Sequence, residues 1–227
     1  MSRLLLISSS NVYGYGFLDH AEAEIRRMLT GRGSIAFVPF AQHDHDAYSM
    51  IAQERFARMN VQVTQVRNAN DVARAESLFI GGGNTFRLLK ELYDRALIDP
   101  IKKRVCDDGI PYIGSSAGTN VACPTIMTTN DMPIVYPPTF AALDLVSFQI
   151  NPHYLDADPG SQHKGETREE RIEQFHEENA TPVIGLREGT MLWVENGATT
   201  LLGMTTARLF RQGQESVEVQ PGSVIAI

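Results

Sequence analysis

The sequence predicts an α/β fold: a doubly wound, mostly parallel sheet with antiparallel hairpins at one edge near the C-terminus. Three observations carry that prediction. Over the first half, short apolar runs of strand length alternate with segments whose apolar residues recur at helical spacing. Two glycine-rich turns, Gly81-Gly82-Gly83-Asn84-Thr85 and Gly114-Ser115-Ser116-Ala117-Gly118, each separate a strand-like run from a helix-compatible one. Near the C-terminus, strand-like runs follow one another directly, and Asn196-Gly197 supplies a hairpin turn between two of them.

In chain order, Leu4 to Ile7 reads as a first strand buried on both faces. Leu18, Ala21, Ile25 and Met28/Leu29 mark a helix within Phe17 to Leu29. Ser34 to Phe40 is the second strand. Tyr48, Ile51, Ala52, Phe56 and Met59 mark the second helix, and Val61 to Val66 the third strand. A short helix over Asn70 to Ala75 and a strand over Ser77 to Ile80 lead into the triple-glycine turn. A helix through Phe86, Leu89 and Leu92 follows, then a helical stretch from Pro100 to Cys106 and a strand from Ile110 to Ile113. The second half is less regular. Thr125 to Pro138 holds Pro133, Pro137 and Pro138 and reads as loop; Val146 to Ile150 reads as strand; Tyr154 to Gly165 is polar loop. Thr167-Arg168-Glu169-Glu170 is a capping box opening a helix to about Glu178. Val183 to Leu186, Met191 to Glu195, Thr199 to Leu202, Arg208 to Arg211 and Ser216 to Val219 are the remaining strands.

A length of 227 residues with 43% apolar content fits one α/β domain spanning residues 1–227, with a substantial core. The net charge is −7 and the chain has no basic block, which argues against nucleic acid and anionic membrane as partners. Cys106 and Cys123 lack metal-type spacing and read as free thiols in a reducing, cytoplasmic compartment. The apolar run at the start is too short for a signal peptide and ends in a Ser/Asn turn. No segment is long enough to span a bilayer.

Gly114-Ser115-Ser116-Ala117-Gly118 matches G-x-S-x-G, and its strand–turn–helix setting gives the motif meaning. A sharp turn lifts the central hydroxyl above the sheet edge, so the nucleophile falls on Ser116 rather than Ser115. The flanking glycines are needed where a Cβ would meet neighbouring backbone. The Ala117 N–H then sits at a helix start, where a developing oxyanion is stabilised. The Gly81-Gly82-Gly83-Asn84-Thr85 turn has two readings. It is a phosphate cradle, weakened by the absence of a P-loop lysine, or the Gly83 N–H is the second oxyanion donor.

A serine nucleophile needs a base. Of the six histidines, His153 stands out: it follows Asn151-Pro152 at the carboxyl end of a strand, where open α/β sheets carry their sites. His20 and His176 read as solvated helix residues, and His163 as a loop residue. His43-Asp44-His45-Asp46 resembles a metal cluster, but alternating residues in a strand-to-helix loop require no metal, and no cofactor is expected. The orienting carboxylate is Asp131 or Glu188, with Asp158 a weaker third. Glu188 is favoured because a strand end fixes position better than a proline-bounded loop. Arg168 suits bidentate carboxylate recognition, and its cost near the positive end of a helix suggests a purpose.

These blocks, together with Cys123-Pro124-Thr125-Ile126, Thr128-Thr129-Asn130-Asp131-Met132-Pro133-Ile134-Val135, Gln149-Ile150-Asn151-Pro152-His153 and His163-Lys164-Gly165-Glu166-Thr167-Arg168, resemble the peptidase E family of serine peptidases, family S51. The resemblance runs from the first strand to about Gly189. It implies a flavodoxin-like sheet of the class I glutamine amidotransferase type, with serine in place of cysteine. It implies hydrolysis of Asp-Xaa dipeptides in the cytoplasm, a small-molecule substrate and no cofactor. It carries the nucleophile to Ser116, the base to His153, the third member to Asp131 or Glu188, and aspartyl recognition to Arg168. Asn84, in the triple-glycine turn, is expected at the substrate; a homodimer is compatible with the sequence. Ser115 departs from the family, whose members often carry a bulky residue there. A cyanophycinase-type peptidase for β-aspartyl linkages and a non-catalytic amidotransferase-like binding domain are the competing readings.

Overall fold

The fold is seen in a computed structural model that describes residues 2–158, 160 and 165–227. His163 and Lys164 lie outside the described residues. Strand β1 (Arg3–Ile7) is followed by a 3₁₀ turn at Asp19–Ala21 and helix α1 (Glu22–Met28). Then come β2 (Ser34–Val38), α2 (His45–Ala57), β3 (Gln62–Gln65), α3 (Ala69–Ala73), β4 (Leu78–Ile80) and α4 (Thr85–Asp94). Helix α5 (Ile98–Lys102) runs into a π-helical turn, and β5 (Tyr112–Ser115) leads directly to the short α6 (Ala117–Asn120). The second half holds β6 (Gln149–Pro152), α7 (Arg168–Glu178), β7 (Val183–Leu186), β8 (Thr190–Glu195), β9 (Ala198–Gly203), β10 (Ala207–Phe210) and β11 (Val217–Val219).

The main sheet has seven strands in the order β3-β2-β4-β5-β1-β8-β9. The first five are parallel, and β8 and β9 add antiparallel at the β1 edge. Strand periodicity of two divides the core between the faces. Leu4, Leu6, Val38, Ile80 and Tyr112 pack with Leu88, Leu92 and Ile101 of α4 and α5 on one side. Leu5, Ile7, Phe37, Phe79 and Ile113 pack with Ile25, Met28, Ala52 and Phe56 of α1 and α2 on the other. Helices therefore cover both faces, as the unbroken apolar runs of β1 and β5 require.

Two expectations change. The helix expected from Phe17 starts only at Glu22, because Leu18 adopts a left-handed φ of 58° and its N–H bonds back to the Ser10 carbonyl. The late strands do not all join one edge. β6, β7, β10 and β11 form a separate four-stranded sheet, ordered β11-β10-β7-β6, in which β6 and β7 run parallel. The chain changes sheet in the short connection Arg187-Glu188-Gly189, where Gly189 has φ +79°. The carboxyl ends of the two sheets meet there. The Ser8 hydroxyl, just past β1, donates to the Leu186 carbonyl and accepts from the His153 N–H.

The most constrained approach lies between β4, β5 and α6. A Cβ on Gly118 would fall 2.0 Å from the Ile80 carbonyl oxygen, and one on Gly114 would fall 2.5 Å from the Gly118 oxygen. These obstacles are backbone, which cannot rotate away. Gly118→Ala is therefore expected to lower stability by about 3 kcal/mol or more. Gly33→Ala, whose added methyl meets nothing within 4 Å, should change it little. Thermal melting of the two variants checks both outcomes.

Candidate active site

Ser116 is the N-cap of α6, with φ 52° and ψ −108°. A non-glycine residue pays roughly 1–3 kcal/mol for such a conformation, so its surroundings must impose it. They do so from both sides: the Ser116 N–H donates to the Ile7 carbonyl, and its own carbonyl accepts from the Thr119 and Asn120 N–H groups. The glycines at positions 114 and 118 admit the tight packing beneath. The turn thereby points the Ser116 hydroxyl away from the sheet. Ser115, one residue earlier, is fully buried, and its hydroxyl bonds to that of Ser10 at 2.6 Å.

Ser116 Oγ lies 2.9 Å from His153 Nε2, and His153 Nδ1 lies 2.8 Å from Glu188 Oε1. His153 also has a left-handed backbone, with φ 54°. Its N–H is held by Ser8, and the next N–H, on Tyr154, donates to Leu186. Its place at a strand end predicts His153 at the rim of the parallel sheet. It reaches that rim from β6 of the second sheet. The side chains of His153 and Glu188 are 37% and 48% exposed, so water screens their attraction and the contact serves mainly to orient the imidazole. Glu188 is not neutralised by its neighbour Arg187. That guanidinium is engaged by Asp156 and Glu218, which hold its pKa well above the ordinary value.

Asp131 is not beside His153. Its Oδ2 accepts from the Thr85 N–H and hydroxyl at 2.7 and 2.6 Å, capping the first turn of α4. Its Oδ1 has no hydrogen-bond partner among the described residues. Asn84 is also occupied by local structure. Its Oδ1 accepts from the Arg87 N–H, and its Nδ2 donates to the Met132 carbonyl. The Gly83 and Ala117 N–H groups have no backbone acceptor among the described residues. Arg168, the first residue of α7, is half-buried and has no carboxylate partner among the described residues. Burial, followed by the nearby Arg171 charge, lowers its pKa. Glu169 beside it is paired with Arg208, which also bonds the Tyr154 hydroxyl, so the first turn of α7 is tied to the residue after His153.

A cavity of about 820 Å³ opens over Ser116 and His153. Its walls include Ser10, Gln42, Tyr48, Gly82, Gly83 and Asp131; Arg168 and Asn84 are not part of them. His43 lines it as well. The rest of the acidic-histidine run is used locally: Asp44 caps α2 through the Ala47 N–H, His45 packs edge-on against Phe40, and Asp46 pairs with Arg67. Among the described residues, no three His, Cys, Asp or Glu side chains converge as metal ligands. His176 is 7% exposed, with Nε2 near the Thr181 carbonyl, and both ring nitrogens of His20 are buried without a partner among the described residues; neither is a solvated surface residue. Ser8 and Gln42 carry no signal in the sequence, and Tyr48 marks only the helical spacing of α2. Serine after a strand, and tyrosine at helical spacing, carry no signal that distinguishes a site from ordinary packing.

Fold and site together define an α/β protein with a serine on a strained strand-to-helix turn, in line with a histidine and a glutamate. Residues 4–202 match Peptidase family S51, and the chain belongs to that family. Peptidase E of Streptomyces coelicolor is 50% identical over 97% of this chain and 92% of its own length. A Drosophila melanogaster protein named "Probable alpha-aspartyl dipeptidase" is 46% identical over 96% of this chain and 93% of its own length. The crystal structure of a peptidase from an acI-B1 actinobacterium superposes with a TM-score of 0.71, covering 100% of this chain and 97% of that one. At 15% sequence identity, that similarity speaks for the fold.

Proposed function

We propose that this chain is a cytoplasmic serine dipeptidase that cleaves Asp-Xaa dipeptides through an acyl-enzyme. The observation that carries the reading is the continuous contact from Ser116 Oγ through His153 to Glu188. The substrate class follows the names of the relatives. In the reaction, Ser116 Oγ attacks the scissile carbonyl while His153 Nε2 takes its proton. Glu188 holds the imidazole in the tautomer with hydrogen on Nδ1 and stabilises the imidazolium that forms. The oxyanion is received by the Ala117 N–H, at the start of α6, and the Gly83 N–H. His153 returns the proton to the departing amino group of Xaa, leaving an aspartyl ester on Ser116. Water, activated by the same histidine, releases aspartate.

Arg168 reads the β-carboxylate in this scheme. An arginine half-desolvated and unpaired among the described residues gains more from a carboxylate than one in open water, and its planar fork fits the group bidentately. Asp131 has a role distinct from Glu188: its Oδ1, without a hydrogen-bond partner among the described residues, lies on a residue lining the cavity and suits the substrate's α-ammonium. The discriminating experiment compares Asp-, Asn-, Glu- and β-Asp-dipeptides side by side. The reading fails if the β-linked substrate is fastest, or if Asp- and Asn-dipeptides are cleaved equally.

Ser116→Ala should reduce kcat by on the order of 10⁴ or more. Ser115→Ala, which removes only a buried bond to Ser10, should keep most activity while losing about 1 kcal/mol of stability. Steady-state rates and melting curves for the pair check this, and near-normal turnover by Ser116→Ala would end the serine mechanism.

Glu188→Gln should lower kcat by up to about 10⁴-fold, because the amide permits the wrong imidazole tautomer. Asp131→Ala should mainly raise KM, and should cost about 1 kcal/mol through the lost cap on α4. If kcat collapses in Asp131→Ala and survives in Glu188→Gln, the two roles are exchanged.

For specificity, Asn-Xaa would leave the Arg168 guanidinium unpaired, a mismatch that costs about 2–5 kcal/mol when buried. In kcat/KM that amounts to a discrimination on the order of 10² to 10³. Arg168→Met should flatten the Asp/Asn ratio, chiefly by slowing Asp-Xaa. A ratio unchanged from wild type would remove Arg168 from the reading and make Arg171 the next candidate.

A further inference from the structure

Beside the serine, the triple-glycine turn is held in an unusual way. Gly81 continues the sheet, its N–H donating to the Val38 carbonyl, and the Asn84 N–H donates to the Ala41 carbonyl. Between them, the Gly82 N–H donates to the Tyr48 hydroxyl at 2.9 Å, and the Gly82 carbonyl accepts from Gln42 Nε2 at 3.3 Å. Both partners come from the segment that leads into and forms α2, and neither belongs to the serine, histidine and glutamate relay. At each of the three glycines a side chain would meet a neighbour. A Cβ on Gly81 would lie 2.6 Å from the Tyr48 ring, one on Gly83 would lie 2.5 Å from the Ala41 carbonyl oxygen, and one on Gly82 would lie 3.0 Å from Ser116 Cβ. The turn is thus wedged between α2 and the serine, with φ +138° at Gly83.

The planarity of the peptide bond gives this arrangement a consequence. In a trans peptide the carbonyl of one residue and the N–H of the next are antiparallel within one plane. Whatever holds the Gly82 carbonyl therefore sets the direction of the Gly83 N–H. Gln42 pulls that carbonyl one way, so the Gly83 N–H is aimed the other way. Tyr48, by holding the Gly82 N–H, restrains the preceding torsions that would let the plane turn. Glycines lack the side-chain sterics that would otherwise limit such rotation, so an external clamp is needed.

We propose that Tyr48 and Gln42 are positioning residues that clamp the Gly82–Gly83 peptide plane and so aim the Gly83 N–H at the oxyanion formed on Ser116. This rests on the serine-peptidase reading above and adds to it two cavity-lining side chains that act through the turn rather than on the reacting atoms. Burial pushes the Tyr48 hydroxyl up to about 12, so it meets the Gly82 N–H as a neutral phenol throughout the neutral range. The bond from Gln42 also polarises the peptide, which strengthens the Gly83 N–H as a donor.

An oxyanion donor acts only when charge develops, so loss of its aim should fall on kcat and spare ground-state binding. Removing such a donor outright costs about 10²–10³ in kcat, and a loosened one should cost less, roughly 10-fold for each variant. The test uses Tyr48→Phe, which keeps the ring, and Gln42→Leu, at an exposed position where misfolding is not at issue. Three quantities are measured: kcat and KM for an Asp-Xaa dipeptide, inhibition by the product aspartate, and inhibition by the boronic acid analogue of aspartate, which adds to the serine as a tetrahedral anion. The expected result is a kcat lowered about 10-fold in each variant, boronate affinity lowered in parallel, and KM and aspartate inhibition within about twofold of wild type. The double variant should lose less than the product of the two single effects, because both act on one peptide plane. Unchanged kcat and boronate affinity in both variants, or a rise in KM and aspartate inhibition constant at constant kcat, would overturn the proposal. Failure of the serine reading itself would look different, with boronate affinity insensitive to Ser116→Ala.

Discussion

The backbone contact between Gly118 and the Ile80 carbonyl governs the site. The start of α6 must press against the end of β4 so closely that no side chain fits between them. That closeness forces the strand β5 to turn within a single residue, and Ser116 takes the positive φ that results. Two hydrogen-bonded anchors, the Ile7 carbonyl on one side and the first N–H groups of α6 on the other, offset the strain. The same contact puts Gly82, two residues beyond Ile80, against Ser116. One packing constraint therefore sets the nucleophile's direction and its distance from the triple-glycine turn.

The histidine and glutamate depend on a second arrangement, the junction of the two sheets. β6 and β7 run parallel, so their carboxyl ends lie side by side and deliver residues 153 and 187–189 to one place. Ser8 is the pin of that junction, bonded to Leu186 in one direction and His153 in the other. The connection from β7 to β8 is short because β8 must pair at once with β1, and Glu188 sits in its middle. Around it, Arg187 and Arg208 tie Asp156, Glu169 and Glu218 into one ion-paired group. Networks of this kind hold geometry more than they add stability, and here they leave the Glu188 carboxylate to the imidazole.

Much of the site was legible in the sequence because its parts are local. The G-x-S-x-G turn needs only its own glycines, so Ser116 could be named from the spacing of residues 114–118. The capping box at Thr167 likewise forecast the start of α7 to the residue. His153 emerged from the strand-end rule, although the strand concerned belongs to the other sheet. What stayed ambiguous was every pairing across the fold. The sequence favours Glu188 over Asp131 only through its place at a strand end, and the positions of α4 and β7 make one a helix cap and the other a contact with His153. The hold of Tyr48 and Gln42 on the triple-glycine turn was hidden for the same reason: their partners are backbone atoms of a loop far away in the chain.

The sequence by itself determined the alternation of strands and helices, the two-faced burial of β1 and β5, and the sharp turn at Ser116. Each follows from side-chain periodicity or from the steric freedom of glycine within a few residues. The tertiary structure alone decided that the late strands divide between two sheets, that β10 pairs with β7 while β9 pairs with β8, and that Glu188 faces the histidine. Strand pairing is made by backbone hydrogen bonds, which every residue but proline offers alike, so the residues of a strand do not record its neighbour. The choice is made by which faces can be buried together, a property of the assembled chain.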